Sequence, residues 1–326
     1  MDTGTHFVAG LGLAGLAYID PAVAGDPSTA LAVMAGTVLG SQAPDADGLL
    51  RLRGNGLYIR NHRGISHSIP ALFVWTFLIT GAVKIAIPSA DTRHLALWVM
   101  IAVALHVFSD LFNAYGTQAF RPFSERWVSW NIIHIFDPFI FTSHAAAIVL
   151  WAVGADPKIV FPSLYALLIV YYAWRSRVHA RLMRRLPELD DAHRPQDRYL
   201  LIPTVNLNQW NVVKTVEPGR YVLGELKDRT LQWVDEATAS KHPAAEASRR
   251  HPDIAAFLYF SSYACPEVRS HPWGYEVRWI DLRYRHRKQY PFLGVLLMDK
   301  SYQPLDSYVG WLNEERVEKR LRINTH

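Results

Sequence analysis

The sequence predicts a mainly α membrane domain of about six helical segments, followed by a soluble C-terminal domain that is α+β or mainly β. Three observations lead there. The first half is built from long apolar runs, approaching or reaching the ~20 residues that cross a bilayer as helix. Charge is divided unevenly: residues 1–174 carry 9 Lys and Arg against 10 Asp and Glu, whereas residues 175–326 carry 25 against 19. From about residue 187 the pattern turns to short β-prone runs separated by Pro, Gly, Asn and Asp. At 50% hydrophobic and 19% charged, the 326 residues exclude a disordered chain.

The apolar runs are 3–19, 28–44, 68–88 (interrupted only by Lys84), 94–109, 138–155 and 159–174. Their faces lack the polar stripe that a soluble helical core would need. Gly10, Gly12 and Gly15, then Gly36 and Gly40, place small residues at helical spacing, which suits close helix packing in lipid. Asp2 stands where a signal peptide would carry positive charge, so a cleaved leader is not expected. Basic residues fix the orientation. They gather in loop 45–67 (Arg51, Arg53, Arg60, Arg63), in loop 114–136 (Arg121, Arg126) and after the last run (Arg175, Arg177, Arg181, Arg184, Arg185). The alternation puts both termini in the cytoplasm of a multi-pass protein.

The division expected is a helical metal-site domain over 1–175, a basic linker over 176–197 and a soluble cytoplasmic domain over 198–326. Within the last, Tyr199–Val205, Trp210–Val216, Arg220–Leu226, Leu231–Val234, Tyr275–Tyr284 and Phe292–Met298 read as strands. Residues 244–263 read as a helix, and a charged helix closes the chain near Asn313–Leu321. The single cysteine, Cys265, rules out an internal disulfide and any multi-cysteine metal site.

This topology carries His and Asp residues that are far apart in sequence to one membrane face. His6 begins the first segment, and Asp45 and Asp47 end the second. His62, Arg63 and His67 lead into the third, His106 and Asp110 end the fourth, and Asp137 opens the fifth. His106 and Asp110 are four apart and share a helical face, with Asn113 continuing the stripe. Ionisable groups beside a span are costly and are paired or functional. Plainer readings stand beside each: a His–Asp pair joining helices, a solvated turn after Pro44, an N-cap at Asp137 before Pro138. Arg63 is either a clamp for an anionic group such as phosphate or a positive-inside anchor. His144, seven residues beyond Asp137, is a deeper, second candidate; His94 is interfacial, and His134 is undecided. The seven histidines after residue 174 show no metal-ligand spacing. A thiolate-free His/Asp set suits Zn²⁺, Mn²⁺ or Fe²⁺, and Mg²⁺ where carboxylates dominate. The number of donors suggests one or two ions.

The ordered set resembles the membrane-bound metal-dependent hydrolases of the YdjM/YfhP type, the LexA-binding, inner-membrane-associated hydrolases. The stretches that carry the resemblance are Thr5-His6 with Gly10, Pro44-Asp45-Ala46-Asp47, His62-Arg63-Gly64 and Ser66-His67-Ser68. His106 with Asp110, Asn113-Ala114-Tyr115-Gly116-Thr117, Arg121-Pro122-Phe123-Ser124 and Asp137-Pro138 complete it, over roughly residues 1–175. A weaker echo follows in Asn208-Gln209-Trp210 and Tyr221. The resemblance implies a bacterial inner-membrane hydrolase whose ligand pattern is likened to zinc-dependent phospholipases C. Carried onto this chain, the implied ligands are His6, Asp45, His62 or His67, His106, Asp110 and Asp137. No motif here accounts for LexA binding.

Together these features lead to the expectation of an enzyme: an inner-membrane hydrolase that cleaves a phosphoester or other ester of a lipid-like or phosphorylated substrate. Its metal would be held by His6, Asp45, His62, His67, His106 and Asp110, with Asp47, Arg63 and Asp137 assisting catalysis. The rival readings are a metal-binding transporter and a regulatory scaffold that recruits a protein partner through its C-terminal domain. Membrane lipids are expected contacts; no fingerprint for nucleic acid is present.

Overall fold

Most helices of the first half start where the sequence supplies a cap. α1 (Thr3–Leu16) begins on Asp2, which accepts from Thr5 N; a 3-10 turn, Ala17–Ile19, follows it. Asp20 caps the short α2 (Pro21–Ala24), and Asp26 caps α3 (Pro27–Gln42) by accepting from Ser28 N and Thr29 N. A 3-10 stretch, Ala43–Arg53, leads to α4 (Asn55–Asn61), and a second, Ile65–His67, to α5 (Ile69–Ala86), which is capped by Ser68. Asp91 caps α6 (Thr92–Asp110) and Asp137 caps α7 (Pro138–Ala152). α8 runs from Pro157 to Leu189.

The six long helices α1, α3, α5, α6, α7 and α8 coincide with the six expected apolar runs. Three of them, α5, α6 and α8, are long and apolar enough to cross a membrane, while α1 (counted to Ile19) and α7 are shorter apolar helices. The basic stretch expected as a linker over 176–197 instead continues α8 as far as Leu189. Its Arg, Leu and Met residues are strong helix formers, and Leu186 is fully buried.

The structure is a computed structural model that describes residues 1–285, 289–312 and 314–321. It divides into two units, the first comprising residues 1–47, 63–182 and 203–207. Here α3 packs between α1 and α6 at close range. A Cβ on Gly10 would stand 3.0 Å from the backbone of Thr37 and Val38, and one on Gly40 would stand 3.1 Å from the Ala102 side chain. Glycine at these two positions lets three backbones converge. One apolar core joins Leu13, Val33, Leu95, Val99 and Val103; another joins Ile133, Ile140, Phe161 and Leu168.

The second unit holds residues 48–62, 183–202 and those described from 208 onward. Its first sheet has the order β1 (Arg198–Pro203), β2 (Gln209–Glu217), β3 (Arg220–Lys227), β4 (Thr230–Thr238), with β2, β3 and β4 antiparallel. Two helices follow, α9 (Pro243–Ser248) and α10 (Pro252–Phe260). The second sheet is an antiparallel meander of β5 (Ala264–His271), β6 (Gly274–Asp281), β7 (Phe292–Asp299) and β8 (Pro304–Trp311), and α11 (Glu314–Leu321) closes the described chain.

The single helix expected over 244–263 is two, because Pro252 forces a break and each half takes its own histidine cap, His242 and His251. β5 and β8 are edge strands whose exposed, polar residues hide them from pattern reading. α4, hidden in what reads as a loop, packs on α10 and β8. Asn313, at the start of the expected terminal helix, and His286 and His326 lie outside the described residues.

Candidate metal centre

Four of the expected donors meet in the first unit. Asp45, in the 3-10 turn after α3, is joined by His67 before α5, and by His106 and Asp110 on the last turn of α6. His67 Nε2 and His106 Nε2 are 3.3 Å apart. His67 Nε2 lies 3.6 Å from Asp45 Oδ1 and 3.4 Å from Asp110 Oδ2; for His106 Nε2 the distances are 3.7 and 3.6 Å. His67, His106 and Asp110 are buried, while Asp45 retains 21% exposure. The two facing carboxylate oxygens, Asp45 Oδ1 and Asp110 Oδ2, accept no hydrogen bond from any described residue although both are buried. An orphaned buried carboxylate oxygen is costly.

The four atoms surround a hole that approximates a tetrahedron: five of their six separations are 3.3–3.7 Å and all lie within 4.8 Å. A tetrahedron with edges near 3.5 Å would place its centre about 2.1 Å from each corner, the length of first-row metal bonds to imidazole nitrogen and carboxylate oxygen. The donor set therefore fits a divalent ion, which would satisfy both orphaned oxygens.

The imidazoles are turned for that task by what their other nitrogens do. His106 Nδ1 lies 2.7 Å from Ser41 O, a carbonyl that can only accept, so Nδ1 carries the proton and Nε2 the lone pair. Ser66 Oγ donates to Asp47 Oδ2 at 2.8 Å and stands 2.9 Å from His67 Nδ1. The hydroxyl proton is committed to Asp47, so Nδ1 of His67 donates to Ser66 and its Nε2 also offers a lone pair. Outer partners of this kind fix tautomer and ring orientation in metal sites.

Burial pushes the His67 imidazole down to about 3, against the pull of Asp45, so it is neutral at neutral pH.

His6, on the first turns of α1, stacks on His106 with ring centroids 3.7 Å apart, and its Nε2 is 3.4 Å from Asp110 Oδ1. The Met1 amine stands 2.9 Å from the same Nε2 and contacts Asp110 Oδ1. Asp110 thus presents one oxygen to the hole and the other to a belt of donors. Asn113 Nδ2 gives that oxygen a hydrogen bond of 3.1 Å, and Arg63 Nη2 is 3.3 Å away.

Arg63 is 2% exposed and has positive φ, 57°. Its Nη1 donates to Asn113 Oδ1, its Nη2 to Met1 O, and its backbone N to Asp47 Oδ2. The guanidinium is thus committed to holding Asp110, Asn113 and the start of the chain in place. Asp47 ties the loop 63–66 together from outside the tetrahedral hole.

The remaining candidates are not among these four donors. Asp137 accepts from Phe139 N, Ile140 N and, at 2.7 Å, Tyr171 OH, which makes it the N-cap of α7. His62 belongs to the second unit and ends α4, with its ring against Tyr58 at 4.7 Å between centroids. His94 pairs with Asp20 at 2.6 Å, and His134 Nδ1 lies near Phe136 O. His144 is buried on α7. Pattern reading passed over Ser41 and Ser66, which act through a backbone carbonyl and a hydroxyl. Serine in either role carries no distinctive spacing.

In the second unit Asp190, His193 and Asp197 also cluster. A cation is already there: Lys214 Nζ bonds Asp190 at 2.6 Å and Asp197 at 2.9 Å, and Trp233 Nε1 donates to Asp190.

Residues 1–182 match the family described as YdjM inner membrane protein. The chain belongs to the YdjM family. Residues 243–321 match the YfhP C-terminal alpha/beta plait domain, in keeping with the β5–β8 sheet and the helices around it. A relative in Bacillus subtilis (strain 168), named as the uncharacterized protein YfhP, is 43% identical over 328 residues, covering 100% of each chain. No solved structure matches. The family and the apolar helices make this YdjM-family chain a membrane protein, and its four-donor cluster falls inside the family-matched segment.

Proposed function

We propose that the chain is a metal-dependent hydrolase of the bacterial inner membrane, that its ion is zinc, and that it cleaves a phosphoester or other ester of a lipid-like substrate at the cytoplasmic face. The observation that carries the proposal is the tetrahedral hole of His67, His106, Asp45 and Asp110, with both Nε2 lone pairs turned inward and two carboxylate oxygens otherwise orphaned. Tetrahedral N/O coordination is zinc's preference, and when bound the ion supplies Lewis acidity and lowers the pKa of a water from 15.7 towards ~7.

The chain's own residues supply the rest. Asp110 and the two histidines are buried, whereas Asp45 is the donor with solvent access and so borders the reacting side. Asp47, half-buried and held by Arg63 N and Ser66 Oγ through Oδ2, is the carboxylate assigned here to take the proton of an attacking water. Arg63 orients Asp110 and adds positive charge beside the donors, offsetting charge that builds on phosphoryl oxygens. His6 covers the other face of His106 and excludes water from it. A lipid-like substrate is favoured because an apolar cavity of about 330 Å³ opens against His6 and His106. The arginines of loop 45–67 and those following residue 174 favour the cytoplasmic orientation.

The test is to purify the protein in mild detergent without chelators, measure bound metal by elemental mass spectrometry, and assay bis-(p-nitrophenyl) phosphate and fluorescent phospholipids. Zinc near stoichiometry and turnover that are both lost in His106→Ala are expected. Turnover that survives both chelation and His106→Ala would overturn the proposal.

A further inference from the structure

The cavity beside the metal centre holds a buried polar atom that no described residue satisfies. His144, on α7, is 2% exposed and lines the cavity. Its Nδ1 lies 2.7 Å from Ile140 O, one turn back on the same helix, and the carbonyl can only accept. Nδ1 therefore carries the proton, and Nε2 is a lone pair. That Nε2 is buried and has no hydrogen-bond partner. An unmade hydrogen bond in apolar surroundings is a cost that a ligand can relieve.

The surroundings specify the ligand. The walls are almost wholly apolar, including Leu13, Leu105, Phe112 and Leu168. At one end stand His6 and His106, which border the metal donors. At about 330 Å³ the cavity is at the small end of ligand sites, which suits a single slender chain. His144 sits beside Gly12 of α1, where an added Cβ would be only 2.9 Å from its ring. Gly12 is six residues beyond His6 on α1, a rise of about 9 Å at 1.5 Å per helical residue, so His144 packs against α1 well away from the His6 level.

We propose that this cavity binds one hydrocarbon chain of an amphiphile, with the polar end at His6 and His106, and that His144 Nε2 selects a chain bearing a hydrogen-bond donor, a hydroxyl or an amide N–H, part-way along it. The proposal deepens the function above by naming the part of the substrate that the cavity takes, and rests on it only for the polar end. Gly12 leaves room for the imidazole, and the Ile140 carbonyl keeps it an acceptor. A purely alkyl chain fills the walls but leaves Nε2 unpaired.

The experiment compares two probes, dodecyl phosphate and its mid-chain hydroxyl derivative, titrated by native mass spectrometry against the full chain in detergent. The hydroxylated probe is expected to bind about tenfold more tightly, the effect of one satisfied buried hydrogen bond. In His144→Phe the preference disappears while dodecyl phosphate still binds, which shows that the variant is folded. In His144→Gln, whose amide oxygen restores an acceptor, the preference returns. Equal affinities in the unaltered protein, a preference that persists in His144→Phe, or no binding of either probe would each overturn the inference. Neither probe has to be cleaved: a protein that binds with the expected preference but hydrolyses nothing refutes the hydrolase proposal alone.

Discussion

His67 and His106 point their Nε2 atoms at each other across 3.3 Å. With each Nδ1 acting as a donor, to Ser66 and to Ser41 O, the two facing nitrogens are both lone pairs. They repel unless a cation lies between them and the two carboxylate oxygens. Metal loading is therefore expected to stabilise the fold. At a free zinc concentration a hundred times the dissociation constant the gain is about 2.7 kcal/mol. Thermal unfolding of the chelated protein, with and without added Zn²⁺, checks this. A rise in Tm on loading that vanishes in His67→Ala or Asp110→Ala is the expected result.

The link from Asp47 through Ser66 to His67 gives a second expectation. Ser66→Ala leaves His67 Nδ1 without its acceptor and frees the ring to turn, although no donor to the hole is lost. Removing an outer partner of this kind lowers metal affinity about 10–100-fold. Asp47→Asn should cost a similar amount, and the double variant little more, because both changes break one chain of hydrogen bonds. Competition with a chromogenic chelator measures all three.

The sequence made the helical framework legible because apolar run length and Asp-Pro or Ser-x-Pro starts are local signals, as at Asp26-Pro27, Ser68-Ile69-Pro70 and Asp137-Pro138. The donors were legible for a related reason: His or Asp at the end of an apolar run is conspicuous, and His106 with Asp110 carries its own helical spacing. Less visible was which atoms of each group face inward, since this is decided by Ser41 O, Ser66 and Asn113, residues ordinary in composition. The capping of α7 by Asp137 was visible, but not its bond to Tyr171, which lies 34 positions away. β5 and β8 escaped notice because edge strands need not alternate apolar and polar residues.

Asp137 separates a structural from a chemical role cleanly. Its carboxylate caps α7 and accepts from Tyr171 OH, and its removal should cost about 0.5–2 kcal/mol through the cap alone. Asp137→Asn, which retains a capping oxygen, should keep stability within a few tenths of a kcal/mol, the margin among good cap residues. Metal content is expected to be unchanged in Asp137→Ala and in Asp137→Asn, as measured by elemental mass spectrometry. A loss of metal in Asp137→Asn would place this carboxylate among the ligands.

In the second unit Lys214 gives an expectation whose sign depends on pH. Although burial alone would raise the Asp190 and Asp197 carboxyls, their bonds to the Lys214 ammonium outweigh it and hold both below the usual carboxylate range; Lys214 is raised in turn. Groups with lowered folded values stabilise the protein above their unfolded value and lose that contribution as pH falls through the folded value. The unaltered protein should thus hold its stability from neutral pH down to about the ordinary Asp value of 3.9 and lose it below. Lys214→Met reverses the slope. Two buried carboxylates remain without their cation, an arrangement that costs about 3–5 kcal/mol and raises at least one of them. A group with a raised folded value is relieved by protonation, so the deficit in Tm against the unaltered protein should shrink as pH falls from about 7 to about 5. Trp233, whose Nε1 donates to Asp190, reports on the site. Thermal scans of intrinsic fluorescence across that range read the effect, and a deficit independent of pH would show that the triad contributes packing and not charge.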